Sequence, residues 1–397
     1  MKRLLKVTFD LTLLSLMPVL SWFILGLVVD KNLINVFSLI YPLQFVWYMF
    51  KSVFSTGANI SKEKDKNKNA VMSGITVGSV VGLIVFGLII LNIDHYISFM
   101  NMEAVLYRRF AIYAVAQLYI QLVFMFFIQK LYYEEKNSLA NKYSIIFNLL
   151  NFGVWTATLL IFENEVIAIL ITLATILLYA INIVIKEIKK FKLKFNILNF
   201  IKYDSVELFS NIAFFFIFLI GLRNVFEYEE SFAIVLTFIT LITDTQWDAL
   251  TAISTVAKID IAKNTFNYKK HRKNAYGLLG ILLLSSLIMF LFLFKSYDLN
   301  KNIFLVIICL ELVDFLVYPI YTIKICFLQL DYSAIKATAN QVVASTLRLA
   351  CSFLKTPYCT VIGGFLTSLY KFISINIMFG RNFSVDTTGK VINKRRN

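Results

Sequence analysis

"FSTGANISKEKDKNKNAV", residues 54–71, and "ISTVAKIDIAKNTFNYKKHRKNAY", residues 253–276, are two versions of one phrase. In each, a small-residue sequence (FSTGANI, ISTVAKI) closes an apolar stretch and a basic run follows. Each run ends on Lys-Asn-Ala before apolar sequence resumes. A phrase that twice leaves an apolar helix for water, at matching places in the two halves of a chain, marks a repeated fold.

Outward from the phrase the chain is apolar almost throughout. Of its 397 residues 59% are hydrophobic, against roughly 45–50% in a soluble domain, and its mean hydropathy is +0.73. Runs close to the ~20 residues that span hydrocarbon recur from end to end. This composition predicts an all-α polytopic membrane protein with almost no room for a soluble domain. The opening "MKRLLK" and the apolar run 7–29 resemble a signal peptide. The run is too long for a cleaved segment and no small-residue cleavage site follows it, so it reads as the first span.

Twelve helices are predicted, over 7–29, 33–60, 71–91, 105–129, 143–162, 166–185, 205–222, 231–262, 275–294, 303–330, 337–354 and 358–378. The net charge of +15 does not point to nucleic acid, because the basic residues gather in short loops between spans. With the N-terminus in the cytoplasm, and Arg108 and Arg109 at the outer start of helix four counted as outer, 27 of the 39 Lys and Arg lie on the inner side, 7 on the outer side and 5 within spans. That asymmetry places both termini inside a plasma membrane. The longest polar connection, 186–204, is read as a basic cytoplasmic linker. It separates an N-lobe of helices one to six (1–185) from a C-lobe of helices seven to twelve (205–380), and 381–397 is a basic cytoplasmic tail. Six spans per half return each half to the same side, so the lobes are parallel repeats. The phrase ends helix two in one and helix eight in the other.

Ionised side chains inside spans are costly and mark ion or substrate pathways. On helix eight, Thr237, Thr240, Asp244, Asp248, Thr251, Thr255 and Lys258 recur every three or four residues and share one face. Asp244 and Asp248 lie about 20–25 Å along the helix from its outer end, near mid-membrane. Two carboxylates one turn apart repel, which favours uptake of a proton or cation. Helix ten carries Glu311 and Asp314, then Tyr318 and Tyr321. Helix two carries Tyr41, Gln44, Tyr48, Lys51, Ser55 and Asn59, with Lys51 about 14 Å from the inner end. Helix four adds Tyr113, Gln117 and Gln121. Helix eleven adds Thr338, Gln341, Ser345 and Arg348. When the two phrases are aligned, the polar stripes of helices two and eight run one residue out of register. Lys324 and Lys371 lie nearer the inner surface and read as snorkelling lysines. His95 and His271 fall in loops, which leaves no buried histidine relay. The four cysteines lie in the last three helices without CxxC spacing and read as apolar thiols. There is no nucleotide-binding or hydrolase motif. No cofactor and no enzymatic activity are expected, and uphill transport would need an ion gradient.

The small-residue ends of helices two and eight, each running into a charged loop and an Asn-Ala start, resemble those of the MATE (multidrug and toxic compound extrusion) transporters of the MOP flippase superfamily. "SWFILG" to "INVFSL" (21–39) is similar to that family's turn from helix one to helix two. "ELVDFLVYPIYTIKICFLQLDYSAIKAT" (311–338) is similar to its helix ten and following loop. Ser21 stands where members often carry an acid in helix one. The resemblance implies twelve transmembrane helices in two six-helix lobes, and it puts Asp314 at the helix-ten position of an acid used in cation coupling.

The leading expectation is therefore a cation-coupled antiporter, a monomer exporting amphipathic or cationic small molecules by alternating access. Asp244, Asp248, Asp314 and Glu311 would take Na⁺ or H⁺. Tyr41, Gln44, Tyr48, Lys51, Gln117, Gln121, Tyr318, Tyr321 and Arg348 would line the substrate route. A lipid-linked oligosaccharide flippase of the same superfamily is the alternative, with Lys51 and Arg348 set against a diphosphate. A prenyltransferase-like enzyme, with Mg²⁺ at Asp244 and Asp248, is the third.

Overall fold

With only 14 glycines and 4 prolines in 397 residues, the apolar runs can fold as helices. That conformation lets a segment in hydrocarbon bond all its own backbone amides. The computed structural model describes residues 3–9, 12, 20–21, 24–25, 28–29, 33, 35–102, 104–188, 191–228, 230–296, 301–354, 356 and 358–394. Its helices are α1 (Asn35–Phe50), α2 (Ala58–Lys64), α3 (Ala70–Leu91), α4 (Ile93–Phe99), α5 (Ala104–Tyr133), α6 (Asn137–Phe162), α7 (Glu165–Glu187), α8 (Ile197–Tyr228), α9 (Glu230–Ala262), α10 (Tyr268–Ser296), α11 (Lys301–Phe327), α12 (Ala334–Ser352) and α13 (Cys359–Asn382). A π-helical stretch, Lys51–Gly57, joins α1 to α2, and another, Leu328–Tyr332, extends α11. Strands β1 (Phe383–Val385) and β2 (Val391–Asn393) form an antiparallel hairpin.

The predicted helices from the second to the twelfth each coincide with described helix, although α8 and α10 begin earlier, at Ile197 and Tyr268. Most of the first, 7–29, lies outside the described residues. Among the described residues, seven helices are long and apolar enough to cross a membrane. The chain divides into two compact units, residues 9–215 and residues 216–397 with 1–8.

In the first unit α5 is the hub, with α1, α3, α4, α6 and α7 packed on it. Its Phe110, Tyr113, Phe124, Phe126 and Phe127 are buried. Phe124 stacks on Phe147 of α6 with ring centres 4.2 Å apart, and Tyr113 stacks on Trp155 at 4.9 Å. The first phrase ends here as a docking point. Asp65 accepts hydrogen bonds from Ser61 Oγ at 2.7 Å, Asn199 Nδ2 at 3.1 Å and Tyr203 Oη at 2.5 Å. Phe200 packs with Val53, Ala58 and Ala70. Gly57 permits this approach, because a β-carbon there would run into the Phe200 carbonyl. Residues 197–203 are therefore a helical foot on the phrase, separated from the rest of α8 by the non-helical Asp204 (φ −133°, ψ 27°).

The π-helical stretch also explains the register offset. A π turn fits one more residue than an α turn into the same length of helix. Lys51–Gly57 is π-helical, whereas α9 stays α-helical through its copy of the phrase. The stripe on α1 thus carries one extra residue.

In the second unit α11 packs against α9, α10 and α13, and α12 packs against α13. Here the phrase closes on Asp260, which accepts from Arg3 Nη1 at 2.8 Å and faces His271 Nε2 at 3.0 Å. Both histidines expected in loops are helical: His95 lies in α4 and His271 in the first turn of α10. Within 381–397, β1 and β2 dock on the α9–α10 connection. Asn267 Nδ2 donates to Thr388 O at 2.8 Å, Tyr268 N to Gly389 O at 2.9 Å, and Lys269 Nζ to Thr387 O at 2.8 Å. The turn needs glycine at 389, where φ is +90°.

Candidate functional site: a buried acid–base cluster

Glu311 and Asp314 are three residues apart on α11, so both side chains leave the same face. Asp314 is 4% exposed. The Trp247 indole of α9 lies beside the Glu311 carboxyl. The same indole stacks on Phe315 with ring centres 4.5 Å apart and meets Tyr318 edge-on at 5.2 Å. Tyr318 in turn meets Tyr321 at 5.5 Å. Two cations face the acids. Arg348 of α12 sits with its guanidinium carbon 5.6 Å from the Phe218 ring, and Lys371 Nζ of α13 lies 5.7 Å from the Tyr321 ring. Arg348 acts electrostatically on both acids, and Lys371 on Asp314.

Gly364 of α13 closes the cluster. A β-carbon there would lie 3.1 Å from Asp314 Oδ2 and 3.3 Å from Arg348 Nη2. The absence of a side chain lets acid and base share one space against the α13 backbone. Asp314 Oδ1 and Glu311 Oε2 are buried and accept no hydrogen bond from the described residues. Buried oxygens of this kind are normally satisfied, so these can take a proton, a cation or water.

The structure thus brings together Glu311, Asp314, Tyr318, Tyr321 and Arg348, which the sequence had divided between ion and substrate roles. It adds Trp247 and Gly364, and it corrects Lys371. That lysine does not snorkel: it is buried, with its ammonium over an aromatic ring. Asp244 and Asp248 are on α9 to either side of Trp247, but their side chains lie outside the described residues. Among the described residues, no group of three or more His, Cys, Asp or Glu is placed to hold a metal.

The first unit holds the remaining predicted residues. Lys51 is buried in the π-helical stretch, its Nζ 5.7 Å from the Trp47 ring and 5.6 Å from the Tyr48 ring. Tyr41 is buried and meets Phe45 edge-on at 5.5 Å. Gln44 is half-buried on the same helix. Gln117 and Gln121 are buried on α5, and Gln117 Nε2 donates to Asn151 Oδ1 of α6 at 2.8 Å. Ser144, Asn148 and Asn151 extend this seam as buried neutral polar residues. Sequence reasoning missed them, although their spacing of four and three on an apolar helix was a usable signal.

This is the fold of an all-α polytopic membrane protein with a charged cluster embedded in apolar helices. Solved structures that share it include MATE-family transporters. An outward-facing multidrug resistance MATE transporter aligns with TM-score 0.66 at 13% identity, covering 96% of each chain. A MATE protein in its straight conformation aligns with TM-score 0.66 at 14% identity, again over 96% of each chain. A mutant of the Vibrio cholerae MATE transporter VcmN aligns with TM-score 0.66 at 12% identity, over 96% of this chain and 97% of that one. No protein-family profile and no curated protein matches the sequence.

Proposed function

We propose that this chain is a secondary transporter of a cell's plasma membrane, with both termini in the cytoplasm. It acts as a monomer and exports amphipathic or cationic small molecules in exchange for Na⁺ or H⁺. The observation that carries this reading is the cluster on α11. Two carboxylates, each with a buried oxygen that has no partner among the described residues, are walled by Trp247, Tyr318 and Tyr321 and faced by Arg348 and Lys371. A carboxylate in an apolar setting binds a cation or proton strongly when its counter-charge is withdrawn, and releases it when the counter-charge returns. Movement of Arg348 or Lys371 relative to Asp314 as the helices shift would thus exchange ion for substrate. Each ligand would favour the state that the other opposes. Asp244 and Asp248 on α9 are proposed to join Asp314 and Glu311 in this exchange. Tyr41, Gln44, Tyr48, Lys51, Gln117 and Gln121 are proposed to line the route. The charge asymmetry of the loops supports the orientation.

Dye efflux from proteoliposomes, with the Na⁺ and the H⁺ gradient collapsed in turn, tests this reading. Efflux that stops with one gradient supports it, and efflux indifferent to both removes the coupling. One observation favours a lipid-linked oligosaccharide flippase instead: Lys51, a buried cation held between two aromatic rings, could meet a diphosphate.

A further inference from the structure

We infer that His271 is a cytoplasmic pH latch that clamps both ends of the chain to the inner end of α9. Asp260 is the last acid of the second phrase, and its two oxygens are divided. Oδ1 accepts from Arg3 Nη1 at 2.8 Å, and Oδ2 faces His271 Nε2 at 3.0 Å. The other ring nitrogen, Nδ1, lies 2.8 Å from the Asn267 carbonyl. A carboxylate and a carbonyl only accept hydrogen bonds, so both ring nitrogens must donate. The geometry is that of the imidazolium, and a neutral ring must give up one of the two bonds.

The same Asn267 whose carbonyl holds the ring carries the C-terminal hairpin on its side chain, through Thr388 O. Through its two ring nitrogens His271 thus bridges Asp260, the partner of Arg3, and Asn267, which carries the hairpin. The charged groups around the ring are Asp260 and Arg3 across from it, Lys269, Lys270 and Arg272 on its own helix, and Lys324 of α11 near Arg272. The acid of the first basic run, Asp65, is held without a histidine among the described residues. Its partners are Ser61, Asn199 and Tyr203, none of which changes charge near neutral pH. α9 also bears Asp244 and Asp248, so the latch holds the inner end of the helix that the proposed exchange would move. It stands whatever the substrate is.

The test is hydrogen–deuterium exchange of the full-length protein in lipid nanodiscs at pH 6 and pH 8, corrected for intrinsic exchange rates. In the parent, the 383–393 hairpin and residues 3–9 should be protected about tenfold more at pH 6, as loss of one charge-assisted hydrogen bond implies. Residues 197–203, docked on Asp65, should show no such difference. His271→Gln should lack the extra protection at both pH values, and His271→Arg should keep it at both. If His271→Gln does not fold, the arginine variant decides alone. A parent without the pH difference, or a His271 variant that retains it, overturns the latch.

Discussion

Asp314 on α11 and Arg348 on α12 meet over Gly364 of α13. Oδ2 of the acid lies 3.1 Å, and Nη2 of the base 3.3 Å, from the point a β-carbon at 364 would occupy. Three helices thus set one acid–base distance, and a single missing side chain leaves room for it. Gly364→Ala should wedge the pair apart by a few tenths of an ångström, costing about 1–3 kcal/mol as overpacking usually does. Transport should fall more than folded yield does, and efflux per folded molecule is the measurement that separates the two.

Gly57 makes a different use of the same economy. Its place against the Phe200 carbonyl fixes the foot of α8 on the first phrase. Gly57→Ala must displace backbone, so its thermal stability in detergent should drop by about 2 kcal/mol or more. Gly87 on α3 has nothing within 4 Å of its would-be β-carbon. Gly87→Ala should gain roughly 0.5–1 kcal/mol from helix propensity, and equal losses at both sites would discredit the docking.

Lys130 Nζ in α5 lies 3.2 Å from the Glu187 carboxylate and donates to the Glu187 carbonyl at 3.1 Å, with side-chain exposures of 4% and 11%. Removing one partner strips a buried charge of its nearest counter-charge, the next being Glu134, 3.9 Å from Lys130 Nζ. Lys130→Met should therefore cost about 3–5 kcal/mol, while the Lys130→Met/Glu187→Met double variant should recover most of that. Thermal melts of the single and double variants give the coupling directly.

Much of this was legible in the sequence because hydrocarbon imposes simple rules. Span length placed the helices from the second to the twelfth, and the phrase at 54–71 and 253–276 marked equivalent helix ends. Charges within spans pointed to Asp314, Glu311 and Arg348. What stayed hidden depends on neighbours distant in sequence. Lys371 read as snorkelling because its burial over Tyr321 is set by α11 and α13 together. Trp247 lies at the edge of the polar stripe, three residues after Asp244, but carries no charge to mark it. Gly364 carries no signal of its own. The one-residue offset between α1 and α9 was visible, but its cause, the π turn at Lys51–Gly57, is a backbone property that no residue type announces. The tail's hairpin had a signal, the Asp-Thr-Thr-Gly turn between Phe383–Val385 and Val391–Asn393, but its docking relies on Asn267, distant in sequence.

Orientation can be checked without any transport assay. In a variant lacking Cys309, Cys326, Cys351 and Cys359, single cysteines at Lys68 and Thr265, exposed in the two basic loops, should resist a membrane-impermeant thiol reagent in intact cells. One at Ser98, exposed on α4, should react. Labelling of the first two from outside would invert the topology drawn from the positive-inside rule.

If the acids of the α9–α11 region exchange a cation for the substrate, as proposed, efflux depends on their charge. Gradient-driven dye efflux across pH 6 to 8, at matched expression, tests it most directly in Asp314→Asn, Asp244→Asn, Asp248→Asn and Lys51→Ala beside the parent. Asparagine keeps the shape of the acid and removes its charge. Each Asp→Asn variant should fold but lose efflux, whereas Lys51→Ala should keep a substantial part of it. Parental efflux in all three Asp→Asn variants, with loss in Lys51→Ala, would contradict the proposed exchange and favour a carrier of phosphorylated lipid.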